Sequence, residues 1–282
     1  MTKVVLRAAV TVAAVARLLQ APEATVAQCC GDCNADGTVT IDETITVANR
    51  TLSGCRDDGI CAQTGGQRFP ATGQTISFTA GDDGSVKAGA PLRYADNADG
   101  TITDLNTGLT WEKKIKSDGM GDAANLNDAD NCYPWAGSCA IGDALCGTNV
   151  DCGANGPCVA ADCQVSSPDG QTIFQWVAAL NAANFAGHND WRVPNVKELQ
   201  SIVNYGSINP AVSTAFDGAS CHASCPDLTD PACSCTQSFN YWSSATVATI
   251  PTYAWSVFFG NGGVFLDSKG NDFNMRAVRG GL

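Results

Sequence analysis

Histidine is nearly absent: among 282 residues only His188 and His222 occur. A tetrahedral zinc site with imidazole ligands, or a nucleophile activated by histidine, therefore has almost nothing to draw on. The sequence also lacks a Gly-x-Ser-x-Gly elbow, a His-Glu-x-x-His helix and a phosphate-binding loop. Basic residues are few, 16 Lys and Arg against 28 Asp and Glu, giving a formal net charge of −12. A field of that sign repels polyanions, which excludes nucleic acid as a general partner and disfavours a sulfated polysaccharide held mainly by charge. No apolar run approaches the roughly 20 residues that a membrane-spanning helix needs.

Cysteine, by contrast, is abundant, with fifteen in the chain. Residues 1–27, MTKVVLRAAVTVAAVARLLQAPEATVA, place Lys3 and Arg7 before the apolar run 8–16 and end in small residues, which is the layout of a secretory signal peptide. Its removal takes away Lys3, Arg7, Arg17 and Glu23 and leaves the mature chain two units more negative. Gln28 stands where a lipoprotein needs a small residue before the acylated cysteine, so no lipid anchor is expected. Export and fifteen cysteines together predict a disulfide framework in a secreted, cell-surface or periplasmic protein. The odd count leaves one cysteine over, as a free thiol or an intermolecular bridge. Zinc at Cys30-x-x-Cys33 or Cys233-x-Cys235 lacks a partner pair at the usual spacing.

Residues 28–62 form a first module. Within CCGDCNADGTVTIDE, Asp32, Asn34, Asp36, Thr38, Thr40 and Glu43 fall at positions 1, 3, 5, 7, 9 and 12 of an EF-hand loop, with Gly37 at the sharp turn. Calcium needs several hard oxygens around one point, and this spacing supplies them; the alternative is an acidic Gly-rich turn with no ion. Ile41, Ile45, Ala48 and Leu52 then recur at helical spacing. The stretch resembles one half of a dockerin repeat, but no second copy follows Cys55, which puts pairing with a dockerin's partner in doubt.

Residues 63–90 read as a linker leading into the body, 91–282. In residues 92–114 apolar and polar residues alternate around Asp99-Gly100 and Asn106-Thr107-Gly108, predicting two short hairpins. Asp96, Asn97, Asp99 and Asp104 are either plain turn chemistry or a second calcium set. Two cysteine-rich blocks, 118–168 and 221–235, read as stapled insertions without cores of their own. Thr172 and Gln175 make a capping box for a helix that buries Ile173, Trp176, Val177, Leu180 and Phe185 and stops at Gly187. In NDWRVPNVKELQ, Asn195 and Glu198 make a second capping box, with Val196, Leu199, Ile202 and Val203 facing the core. That commits Glu198 to the helix start, so an acid and base pair with Asp190 is not expected. Trp191 is expected to be buried, flanked by an Asp190–Arg192 ion pair. From residue 241 onward, YWSSATV, YAWSVFF, VFL and FNMRAVRG read as strands of an antiparallel sheet.

The ordered set PATGQT at 70, DNADGTITDLNTGLTWEK at 96, FQWVAALN at 174, NDWRVPNVKEL at 189, YWSSAT at 241, AWSVFFGNG at 254 and MRAVRGG at 275 resembles the bacterial domain typified by the C-terminal part of the Legionella collagen-like adhesin, the Lcl C-terminal domain family. The similarity spans residues 65–282 outside the cysteine-rich blocks. It implies an α+β, C-type-lectin-like body of two helices on twisted antiparallel strands, and a surface role in glycan binding and cell contact. The calcium-chelating triplet of true C-type lectins is not matched, because Val193-Pro194-Asn195 lacks the first carboxylate.

Two classes of function follow. The first is a secreted or cell-surface binding protein, non-catalytic, with extracellular glycan or a surface protein as partner; Trp135, Tyr241 and Trp255 are either stacking platforms or core. The second is a structural or assembly protein joined through the dockerin-like half or the leftover cysteine. An oxidoreductase on the related formylglycine-generating-enzyme fold requires a reactive cysteine pair and is the remaining route.

Overall fold

The computed structural model describes residues 69–221, 225 and 227–281, with the side chains of 165–169 omitted. The expected signal peptide, the expected calcium module with Asp32, Asn34, Asp36, Thr38, Thr40 and Glu43, and the first residues of the linker, 63–68, lie outside the described residues.

After a short helix α1 (Asp83–Val86), strands β1 (Tyr94–Asp96), β2 (Thr101–Asp104) and β3 (Thr110–Glu112) form an antiparallel meander. Both turns carry the chemistry the sequence predicts. Asp99 accepts from the amide and hydroxyl of Thr101 at 3.0 and 2.6 Å, and Asp104 accepts from the Asn106 amide and Thr107 hydroxyl at 2.9 and 2.6 Å. Asn97 donates to Thr101 and Thr103, and Asp96 accepts from the Ala98 amide and pairs with Lys113. The four candidate ligands of a second ion are thus each engaged locally, at opposite ends of the meander.

The stapled block supplies β4 (Cys132–Pro134), β5 (Gly137–Cys139), β6 (Leu145–Cys146), the helical turn α2 (Asn149–Cys152), β7 (Cys158–Asp162) and β8 (Val165–Gly170). Two longer helices follow, α3 (Ile173–Ala182) and α4 (Val196–Ser201), then β9 (Asn240–Thr246), β10 (Tyr253–Phe258), β11 (Gly263–Ser268), β12 (Asp272–Asn274) and β13 (Val278–Arg279). The strands make three sheets, ordered β1-β2-β3-β13, β11-β10-β9-β12-β4 and β6-β5-β7-β8. The body is therefore α+β, mostly strand. One expectation is corrected: β12 pairs parallel to β9, through Asn274 and Tyr241, because β12 returns from the far end of β11 and enters between β9 and β4.

Both capping boxes form. Thr172 and Gln175 satisfy each other's amides at the start of α3, and Asn195 and Glu198 do so at α4. α3 ends at Ala182 and not at Gly187, since Asn184 and Ala186 adopt left-handed angles, φ 51° at each. The two helices cover opposite faces of the five-stranded sheet. On one side Leu199, Ile202 and Val203 join Ile102, Trp111, Phe216, Tyr241, Val257 and Val278; on the other Ile173, Trp176, Val177 and Leu180 join Trp191, Trp242, Ala254 and Met275. Adjacent residues Tyr241 and Trp242 belong to different cores because strand side chains alternate.

In place of aliphatic residues, the third sheet buries Cys139, Cys146, Cys152 and Cys158 as its own small core, in the pairs 139–152 and 146–158. Each bridge closes a loop of about a dozen residues, worth about 3 kcal/mol in the chain-entropy account. Cys132–Cys163 ties this sheet to β4, and Cys221–Cys235 with Cys225–Cys233 staples the second block beneath Ile115, Ala129 and Leu228. The block at 118–168 thus has a core after all, made of sulfur.

The ten described cysteines pair among themselves, so the odd one belongs to Cys29, Cys30, Cys33, Cys55 and Cys61. Alkylation of the untreated, denatured protein followed by peptide mapping is expected to label, or find bridged to a second chain, a cysteine between 29 and 61. Label on any cysteine from 132 to 235 contradicts the pairing.

Candidate ligand-binding face

Perturbed, buried charges are the first place to look for chemistry, and this chain has an unusual number. Glu112, Lys113, Lys114, Asp128 and Arg276 are all essentially inaccessible. Glu112, at the end of β3, accepts from the Asn127 side chain at 2.7 Å and the Ala277 amide at 2.9 Å, and pairs with Lys114 at 2.9 Å. Lys114 also donates to the Leu126 carbonyl and sits 4.5 Å over the Trp176 ring. Burial pushes its ammonium below the usual lysine range, against the pull of Glu112. Arg276 donates to the Glu112 carbonyl, the Cys235 carbonyl and the Thr236 hydroxyl, and lies 5.3 Å from the Phe216 ring. Lys113 turns the other way, to Asp96 at 2.6 Å and the Asp230 carbonyl. Burial raises the Asp128 carboxyl above its ordinary range, with Lys116 3.8 Å away. Glu112, Lys114 and Arg276 bond inward, to one another's segments and to loop carbonyls, and so serve as scaffold.

The same is true of the Asp-Trp-Arg motif, with a correction. Trp191 is buried, as expected, but Asp190 and Arg192 do not pair with each other. Asp190 is bonded by Arg279 at 2.7 and 3.2 Å, which holds its carboxyl below the usual range. Arg192 makes a fork to Glu198 at 2.8 and 2.7 Å and reaches the Gly280 carbonyl. Residues 190 and 192 each face a partner across the bridge between Arg192 and Val278, so the motif clamps the C-terminal strand to α4.

A surface with open bonding capacity occurs on the five-stranded sheet. Register places Ser256 opposite Trp242 and Phe265, Phe258 opposite Asn240 and Gly263, and Ala254 opposite Asp267, so these residues share one face. α3 covers the part holding Trp242 and Ala254. Toward β11 the face is uncovered: Phe265 is 49% exposed, while Asn240, Phe258 and Asp267 are half-buried. At its centre the buried Ser256 hydroxyl donates to Asp267 Oδ2 at 2.6 Å, and the Asn240 amide donates to Ser256 Oγ and Asp267 Oδ2 at 3.1 and 3.3 Å. No cation among the described residues pairs with Asp267. The Phe258 and Phe265 rings lie against the backbone of Gly260 and Gly263, where an added Cβ would stand 2.3 and 2.7 Å from ring atoms. Glycine at both positions thereby leaves room for the two rings, which meet edge to face with centroids 6.5 Å apart.

Of the aromatic residues singled out in the sequence, Tyr241 is core, and burial raises its hydroxyl to about 12. Trp135 is half-buried, edge-on to Phe174 and capped by the Lys269 ammonium 3.5 Å above its ring. Trp255 is half-buried on the other face of the sheet, opposite Leu266. The phenylalanines that frame Asp267 were missed. The available signal was the alternation of SVFFGNGGVFLDS, which puts Phe258, Phe265 and Asp267 in register across a Gly-rich turn.

The model of the Lcl C-terminal domain family matches residues 100–279, well over half of the chain, and takes in every strand from β2 to β13. No curated protein and no solved structure matches the chain.

The inward bonding of the charges has a measurable consequence. Glu112→Ala, which strands Lys114 without its counter-ion, is expected to cost about 3–5 kcal/mol in urea unfolding of the oxidised protein. Arg279→Ala, which removes a solvent-exposed pair, is expected to cost under about 1 kcal/mol.

Proposed function

This chain belongs to the Lcl C-terminal domain family, and we propose that it is a non-catalytic, extracellular adhesin-like domain that binds glycan through the face framed by Phe258, Phe265 and Asp267. The single observation behind this reading is the contrast between that face and the rest of the body. The buried Glu112, Lys114 and Arg276 are spent on internal partners, whereas here a carboxylate, an amide and two rings are organised side by side and only partly covered. Rings with nearby hydrogen-bonding groups suit sugars, which present an apolar side and a rim of hydroxyls. Five disulfides fit an oxidising, extracellular or periplasmic setting, and among the described residues no helix is long and apolar enough to cross a membrane. The C-type-lectin-like arrangement implied by the family is in keeping with two helices on opposite faces of a twisted sheet, without the calcium triplet.

Two further parts of the reading concern residues 28–62. Asp32, Asn34, Asp36, Thr38, Thr40 and Glu43 hold calcium in this proposal, and the ion orders the first module. Assembly into larger structures is a second reading, favoured by the odd cysteine falling between residues 29 and 61.

A glycan array probed with oxidised protein at physiological salt is expected to show binding. Silence across neutral and acidic sugars removes the glycan reading and leaves assembly. For calcium, adding chelator to the full chain is expected to lower the melting temperature of a transition, with about one ion per chain by elemental analysis. An unshifted melt and no bound ion remove the calcium site.

A further inference from the structure

The chemistry of the open face narrows what it accepts. Asp267 Oδ2 is occupied by Ser256 and Asn240, but nothing among the described residues donates to Asp267 Oδ1 or to Asn240 Oδ1. What remains available is acceptors, next to rings. A sulfated or carboxylated sugar would bring a second anion to an uncompensated carboxylate on a chain of net charge −12. A bare calcium ion, which takes six to eight oxygens, finds one carboxylate and one amide here, and among the described residues no carboxylates gather as a metal cluster. An apolar peptide would bury the Ser256–Asp267–Asn240 centre without matching it, at the cost of unsatisfied acceptors. Among sugars, the chemistry that remains is a neutral one with an apolar side and several hydroxyl donors.

We infer that this face binds the ring of a neutral pyranoside, its apolar side stacked on the exposed Phe265 with the Phe258 ring edge-on beside it, and two of its hydroxyls donating to Asp267 Oδ1 and Asn240 Oδ1. The inference rests on the glycan-binding reading and assigns it a place and a sugar class. Ser256 acts beneath the surface as a positioning residue: it holds the carboxylate through Oδ2 so that Oδ1 faces outward. Gly260 and Gly263 act likewise on the rings, because a methyl group at either position must push a ring away from the backbone.

The test uses the oxidised full chain and three probes, the methyl pyranosides of glucose, galactose and mannose, with a heparin oligosaccharide as the anionic comparison. Saturation-transfer NMR followed by titration is expected to detect at least one neutral pyranoside. Phe265→Ala and Asp267→Asn are each expected to weaken it about tenfold or more, with melting temperature nearly unchanged, as these side chains are partly exposed. Gly263→Ala is expected to weaken it while leaving every polar group in place. Leu266→Ala, on the opposite face of the same strand, is expected to leave it unchanged. Should the pyranosides bind equally well to the Phe265 and Asp267 variants, the face is not the site, although the glycan-binding reading survives. Binding of the heparin oligosaccharide with no neutral sugar overturns the inference on charge. If no sugar binds at all, the broader reading falls with it.

Discussion

The Glu112 carboxylate is the point on which the body of this protein is hung. It ends β3, receives the Ala277 amide from the C-terminal segment, the Asn127 amide from the stapled block and the Lys114 ammonium, while its own carbonyl receives Arg276. Three stretches of the chain, 112–114, 127 and 276–277, therefore meet at one residue with no exposed surface. Burying charge is costly, and a packed apolar group in the same volume often does as well for stability. What an apolar group does not do is bond backbone. Here the charged heads reach carbonyls in connecting segments: that of Cys235, and those of Leu126 and Asp230, which also receive the Trp176 indole and the Cys233 amide. Side-chain cations thus satisfy acceptors that secondary structure leaves over, which is the condition for burying irregular chain at all.

That condition explains why cysteine-rich blocks of low apolar content can sit against the sheets. The block from 132 to 163 has four buried sulfur-bearing residues for a core, and the 221–235 block has four more packed on Ile115 and Ala129. Neither holds enough aliphatic surface to offset its chain entropy. Cross-links reduce that entropy in the unfolded state, and the buried charges then dock the stapled loops: Arg276 on Cys235, Lys113 on Asp230. An oxidising environment is therefore built into how the two parts of the structure combine.

What could be read from the sequence was local. Capping boxes at Thr172 and Asn195, turns at Asp99 and Asp104, and the alternating strands after residue 240 all depend on neighbours within a few positions, and all appear. Partner choice at long range was not legible. Asp190 and Arg192 look like a pair in sequence but are drawn to Arg279 and Glu198, because the bridge to Val278 sets different neighbours beside each. The parallel pairing of β12 was hidden for the same reason: three residues carry no signal of which strand receives them. Burial of Glu112, Lys114 and Arg276 ran against the ordinary rule that such residues are exposed. The open face was half legible, since the alternation that places Phe258, Phe265 and Asp267 together was present but pointed equally to core.

The two faces of one sheet then take different roles for a topological reason. α4 and the first sheet close the Tyr241 side as far as Val257 and Val264. α3 is ten residues long, roughly 15 Å, and begins where the stapled block releases it at Thr172, so it reaches Trp242 and Ala254 and stops short of the β11 edge. Side chains beyond its reach must be acceptable to water and still fill the sheet face. Phenylalanine rings packed edge to face against glycine, beside a carboxylate held by a serine and an asparagine, meet both demands without a helix above them. Covering that carboxylate would leave it buried with no cation among the described residues to match it, and so an aspartate at residue 267 goes with a face that stays open to water.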